Sequence, residues 1–332
     1  MNIVIFMAIW CQNLWDELIL KNEIALLRKK YAWNKLKFQV FSYDVSERFV
    51  EVDDIEYYEY FPVGIKNPKN IWRNIKNYFT FIKIIKNASK VIFGWGGILF
   101  DSETGNYSNP LTQILFRVKT CSIFKKDFIF YGVSLDIKNT WNFWVVKEIF
   151  APAKEVYVRD NASSEFLLSL WISSQIILDP VFSDNGEVGL ENYKKNSLLK
   201  KINAKDFTLG DIQEYDFEWK TVWLALRKWY LTEEQELIWK VVKYLIETWA
   251  KVVLLPHSFH KIDVHANDYE FLQDFVLKQN VTITHTMEET YQMYVEKKID
   301  FCISMRLHSM ILSQIYAIPF ISIKYAKKAD LM

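Results

Sequence analysis

The chain has 332 residues, of which 51% are apolar and 24% charged, and its formal net charge is +1 at pH 7. That length carries two domains of ordinary size, and a charge balance this even argues against the strongly basic face of a nucleic-acid binder. Cys11, Cys121 and Cys302 are odd in number, far apart and without a C-x-x-C pair, which argues against a disulfide framework or a cysteine zinc site and suits a reducing cytoplasm.

In chain order, residues 1–8 are apolar but lack a basic leader and are too short to span a membrane, so residues 2–6 read as a first strand and not as a signal peptide. Helical periodicity follows over 17–30, with Asp16 placed to cap it, then a second strand over 37–42, an irregular acidic and aromatic stretch over 45–70, and a helix over 72–85. Lys83, Lys86 and Lys90 give that helix a basic face of the ordinary solvated kind. Val91-Ile92-Phe93 enters a predicted glycine-rich turn, Gly94-Trp95-Gly96-Gly97, with Asp101 just beyond. Such a turn serves either tight packing or close approach of backbone N–H groups to an anion or a sugar. A strand over 127–133, a helix over 143–150 and a strand over 155–158 lead to Arg159, with Asp160 or Asn161 capping the next helix. Arg159, at a strand's carboxyl end, is placed either for a salt bridge or for binding phosphate or carboxylate.

Residues 183–216 are polar and turn-rich, the composition of a linker, so a domain boundary is expected near residue 190. Beyond it, strands over 221–226, 251–255, 281–284 and 299–303 alternate with helices over 232–248, 268–278 and 287–296. Alternation of this kind predicts parallel sheets, and two such halves predict an α/β protein of two Rossmann-like domains, residues 1–190 and 191–332, facing a cleft. Arg227 ends the first strand of the second half. His257, His260 and His265 lack a helical i, i+4 pair with a third ligand beside it, so no metal is expected. The most informative stretch is Ser304-Met305-Arg306-Leu307-His308-Ser309, an apolar strand, a short polar break and a helix start. It puts Arg306 and His308 at the carboxyl edge of a buried strand, where open α/β sheets bind ligands and a helix amino terminus favours an anion. An isolated R-x-H also reads as a solvated arginine and a capping-region histidine.

One composition figure is out of line: 13 Trp against 9 Gly. Counted together the two types reach about 6.6% of the chain, near the ~7% normal for glycine alone. Trp33, Trp171 and Trp249 follow helical runs at positions that call for a left-handed residue, and Trp15 and Trp95 are read into tight loops. The pattern predicts that many or all of these tryptophans are glycines in the living cell, encoded by TGA codons read there as glycine. A tryptophan-rich carbohydrate binder is the other reading, although stacking platforms do not gather at helix ends.

Several segments share an order. They are Asn13-Leu14-Trp15-Asp16, Gly94-Trp95-Gly96-Gly97 with Asp101, Val158-Arg159-Asp160 with Ser163, Leu224-Ala225-Leu226-Arg227, Met305-Arg306-Leu307-His308-Ser309, and Tyr325 with Lys328. With position 15 as glycine, this series resembles the polysaccharide pyruvyl transferase family over essentially the whole chain. The resemblance implies a GT-B-like fold with an acceptor-side first domain and a second domain for phosphoenolpyruvate. It implies transfer of the pyruvyl group of phosphoenolpyruvate onto hydroxyls of a cell-surface polysaccharide or its lipid-linked precursor, as a ketal, with phosphate released and no cofactor. It implies His308 and Arg306 as the catalytic pair, with Arg227, Arg159, Lys328, Asn13, Asp16, Gly96, Gly97 and Asp101 binding substrate. A cytoplasmic enzyme is expected, peripheral to the inner face of the membrane where its acceptor is lipid-linked. Because family members continue past the Tyr325 and Lys328 signature, further C-terminal helices are expected. The rivals are a GT-B glycosyltransferase using a nucleotide sugar and a non-catalytic glycan-binding relative.

Overall fold

A computed structural model describes residues 1–7, 13–42, 45, 54–61, 68–101, 110–184, 191–192, 194–195, 197–226, 232–259, 267–276 and 281–324, without the side chains of 95–98, 232–235 and 274. The chain forms two compact units, Met1–Cys11 with Ile19–Asp179, and Gln12–Leu18 with Pro180–Met332.

The first unit holds strands β1 (Asn2–Met7), β2 (Lys37–Ser42), β3 (Ile55–Glu59), β4 (Lys90–Phe100), β5 (Phe128–Asp136), β6 (Glu155–Val158) and β7 (Gln175–Ile176). They make one parallel sheet in the order β3-β2-β1-β4-β5-β6-β7. Helices α1 (Leu14–Lys30), α2 (Ile71–Asn87), α3 (Pro110–Ile123), α4 (Phe143–Phe150) and α5 (Asn161–Ser169) alternate with the strands. β1 is an almost unbroken apolar run because a parallel strand in such a fold is covered on both faces. Register sets Phe41, Phe6, Phe93 and Phe130 of β2, β1, β4 and β5 side by side, with ring centroids 4.7, 5.1 and 5.2 Å apart. Offset aromatic pairs of this kind contribute about 0.5–1.5 kcal/mol each beyond their buried area.

The second unit holds β8 (Leu198–Asn203), β9 (Thr221–Ala225), β10 (Lys251–Leu254), β11 (Val281–Ile283), β12 (Phe301–Ser304) and β13 (Phe320–Lys324), with helices α6 (Gly210–Gln213), α7 (Thr232–Glu247), α8 (Asp268–Val276), α9 (Met287–Val295) and α10 (Leu307–Ile315). Its parallel sheet runs β11-β10-β9-β12-β13-β8. Both sheets therefore carry the doubly wound pattern, with strand order reversing between β1 and β4 in one and between β9 and β12 in the other. The crevice outside the carboxyl ends of those strand pairs is where such sheets take ligands.

Three sequence expectations are corrected. The segment Gly94 to Gly97 is no turn: β4 runs straight through it, and one extra residue between Gly96 and Leu99 makes a bulge opposite Val133 and Leu135 of β5. A Cβ at Gly94 would meet the Glu23 carboxylate at 3.4 Å, an ordinary van der Waals contact. The stretch read as irregular over 45–70 contains β3, and the linker read over 183–216 contains β8 and α6. β8 lies at a sheet edge, and its adjacent lysines, Lys200 half-buried and Lys201 exposed, mask its strand character.

Candidate active site

β12 is buried along its length and ends at Ser304. The Met305 N–H donates to the Ala225 carbonyl at 2.9 Å, tying the end of β12 to the end of β9 at the second unit's switch point. The chain then turns: the Arg306 N–H donates to Ser304 Oγ at 3.0 Å, and the same hydroxyl donates to the Arg306 carbonyl at 2.9 Å. Arg306 is the N-cap of α10 in an extended conformation, and Leu307 and His308 form the helix's first turn. The amino end of that helix carries the positive pole of its dipole, beside the crevice.

Arg306 is held from a second element. Its Nη2 pairs with Asp268 Oδ1, the first residue of α8, and the two side chains are 13% and 2% exposed. The other Asp268 oxygen accepts the His257 N–H at 3.2 Å, and the Asp268 N–H donates to the Ser258 carbonyl at 2.9 Å. Arg306 Nε is buried with no hydrogen-bond partner among the described residues. A buried orphan donor in a native fold calls for an explanation, and an anionic ligand is one.

Behind the arginine lies a buried chain of hydroxyls. His257 Nδ1 is 3.0 Å from the Leu255 carbonyl, so that nitrogen carries the proton and Nε2 accepts from Tyr294 Oη at 3.1 Å. Tyr294 Oη is 2.7 Å from Ser309 Oγ, which meets Cys302 Sγ at 3.4 Å. With Tyr294 donating to the imidazole, Ser309 donates to Tyr294 and Cys302 to Ser309. Burial, with the Arg306 charge beside it, pushes the His257 imidazole down to about 3, which keeps it neutral. Burial likewise raises the Tyr294 phenol and pushes the Cys302 thiol up to about 11. His257 is thus a pin between β10 and α9, committed on both nitrogens, and not a metal ligand; His260 and His265 lie outside the described residues.

The first turn of α1 completes the site. Asn13 forms an isolated antiparallel bridge with Ser258, and the Leu14 N–H donates to the His257 carbonyl at 3.1 Å. Asn13 Oδ1 accepts the Trp15 N–H at 3.1 Å, so Asn13 caps the helix, where the sequence points to Asp16 for that task. Trp15 is therefore helical, not in a loop, and 3% exposed. Its indole lies flat on the His308 imidazole, with centroids 4.2 Å apart and planes 8° apart.

The structure gathers Arg306, His308, Asn13 and Asp16 in the second unit and puts Asp101 and Arg159 in the first. Asp101 follows β4 and accepts from the Lys138 N–H at 2.9 Å, the Asn139 N–H at 2.6 Å and Asn142 Nδ2 at 3.3 Å, donors that hold its carboxyl below the usual range against the opposing effect of burial. Arg159 Nε donates to Ser134 Oγ, which in turn donates to Asp160, the cap of α5. Gly96 and Gly97 are strand residues of β4. Arg227 and Lys328 lie outside the described residues.

A family model described as polysaccharide pyruvyl transferase matches residues 16–327. The chain belongs to that family. The family is one of transferases, and its match spans both units, including the Arg306 to Ser309 turn. A comparison with curated protein sequences gives no match. Among solved structures the chain is similar to UDP-GlcNAc 2-epimerase from Methanocaldococcus jannaschii, with TM-score 0.51 and 12% identity over 97% of this chain and 83% of that one. It is also similar to Anabaena HepE in complex with UDP, with TM-score 0.50 and 11% identity over 100% of this chain and 83% of that one. At such identity the likeness is one of fold.

Sequence reasoning missed Asp268, Tyr294 and Ser309. Asp268 reads only as an acidic residue in a helix's first turn, and Tyr294 only as an apolar position of α9; their meeting with Arg306 and His257 is set by tertiary packing.

Proposed function

We propose that the enzyme transfers the pyruvyl group of phosphoenolpyruvate to two hydroxyls of a sugar in a cell-surface polysaccharide or its lipid-linked precursor. The reaction protonates the methylene carbon, adds one sugar oxygen to C2, breaks the bond from C2 to the phosphate oxygen, and closes the ketal with the second hydroxyl. One hydroxyl proton ends on the new methyl group and the other leaves with phosphate, so no redox partner is required.

The observation that carries this reading is Arg306 fixed by buried Asp268 at the switch point, with His308 in the first turn of the adjoining helix. Imidazole is the side chain suited to moving a proton near neutral pH, and His308 is assigned the transfer between sugar hydroxyl and methylene carbon. Arg306, with its orphan Nε, and the N–H groups of α10 stabilise the carboxylate or the departing phosphate. Arg227, Arg159, Lys328, Asn13, Asp16, Asp101 and the Gly96 and Gly97 backbone are proposed to bind the two substrates. Among the described residues no helix is long and apolar enough to cross a membrane. Action from the cytoplasmic side, at the membrane face when the acceptor is lipid-linked, belongs to the same proposal.

The test is phosphate release from phosphoenolpyruvate in the presence of glycan acceptors, paired with thermal-shift titrations of phosphoenolpyruvate, UDP and GDP. Stabilisation by phosphoenolpyruvate with acceptor-dependent phosphate release is expected. Stabilisation by a nucleoside diphosphate alone supports a glycosyltransferase instead, and glycan binding without phosphate release supports a non-catalytic relative.

A further inference from the structure

Five of the described tryptophans occupy backbone or packing environments that do not suit tryptophan. Among the described residues seven non-glycine residues have positive φ, and three of them are Trp171 (64°), Trp219 (60°) and Trp249 (63°). For a bulky residue that region is an outlier, and glycine enters it without cost.

The hydrogen bonds identify the motifs. After α5, the Trp171 N–H donates to the Leu168 carbonyl at 2.9 Å and the Ile172 N–H to the Leu167 carbonyl at 3.0 Å. After α7, the Trp249 N–H donates to Ile246 at 3.1 Å and the Ala250 N–H to Leu245 at 3.0 Å. Both are Schellman ends with tryptophan at the left-handed position, which glycine dominates. Trp219 sits in the turn closed by the Lys220 N–H on the Phe217 carbonyl at 3.0 Å. The three side chains are 90%, 75% and 68% exposed, so no burial offsets the strain.

Two others are buried, and they fail in a different way. Trp15 Nε1 and Trp223 Nε1 have no hydrogen-bond partner, whereas a buried indole N–H ordinarily finds one. Trp33 is a difference from expectation: it is 99% exposed in a turn but its φ is not positive.

We infer that positions 15, 171, 219, 223 and 249 are glycine in the cell that makes this protein, through TGA codons decoded as glycine. We extend the inference to position 15 as a binding feature, a step that rests on His308 as the functional imidazole. There the indole fills the space over one face of the His308 ring, and glycine opens that face to a flat or ring-shaped substrate such as the acceptor sugar.

The first test reads the residue directly: peptide mass spectrometry of the protein isolated from its own cells, with the five codons sequenced beside it. Glycine at 171, 219 and 249 is the expected result. Tryptophan at those positions from TGG codons overturns the inference and favours the stacked pair Trp219 and Trp249, 5.8 Å between centroids, as a glycan platform. The second test needs no substrate. Carbethoxylation of His308, mapped by peptide mass, is expected to run several-fold faster in Trp15→Gly than in the tryptophan form, with buried His257 unreactive in both as a control of folding. Equal rates at His308 overturn the binding feature whatever the fate of the pyruvyl transfer reading.

Discussion

Arg306 and Asp268 are a buried pair whose worth depends on both members. Removing one charge strands the other, which costs about 3–5 kcal/mol, whereas replacing both by apolar groups of similar size is nearly neutral. Asp268→Asn is therefore expected to lower the urea midpoint sharply, and Asp268→Asn with Arg306→Met to recover most of it. His308 is half-buried, with Trp15 stacked on its ring. His308→Gln should lose at least ~10²-fold in phosphate release with an unchanged melting temperature, the scale of a general acid or base. At the helix ends, Trp171→Gly and Trp249→Gly should each stabilise by about 1 kcal/mol, because a left-handed backbone costs an L-residue about 1–2 kcal/mol. Equilibrium unfolding in urea checks this as a raised midpoint with the slope unchanged.

The elements show where sequence pattern suffices and where it stops. β12 and the turn after it were legible because a run of four buried residues, Phe301 to Ser304, breaks abruptly into Met305-Arg306-Leu307-His308 and resumes at helical spacing. β4 was read short because glycine speaks for a turn, yet pairing with β1 as far as Gly94 and with β5 through Gly96 holds the segment extended, and a bulge absorbs the irregularity. β8 was lost because the adjacent Lys200 and Lys201 break the apolar alternation that marks a half-buried strand, and its register against β13 comes from packing. The cap of α1 was assigned to Asp16 by residue type, but the bridge to Ser258 fixes Asn13 in the capping position. Asn13→Ala is expected to cost about 1 kcal/mol, and less turnover than His308→Gln.

At the level of the molecule, the two units answer to pH in opposite senses. In the first, Glu23 is fully buried with neither oxygen hydrogen-bonded, beside a cavity of about 70 Å³ lined also by Tyr31, Lys90, Tyr131 and Tyr157. Burial pushes its carboxyl up from 4.5 to about 8. The folded form thus holds a proton that the unfolded chain has lost, so stability is full below pH 4.5 and falls as pH rises towards about 8. In the second, His257 is pushed down from 6.5 to about 3, so its contribution is full above pH 6.5 and falls as pH drops towards 3. Melting followed from pH 3 to pH 9 should therefore show an acid limb from the second unit and an alkaline limb from the first, with Glu23→Gln flattening the alkaline limb alone.

The assignment of Gln12–Leu18 to the later unit has a consequence in time. Asn13 and Leu14 are synthesised more than two hundred residues ahead of the surface they dock on, His257 and Ser258. At ordinary elongation rates that interval is on the order of tens of seconds. Throughout it the front turn of α1 has no seat, so the nascent chain carries an unfinished helix start until the second unit arrives to receive it.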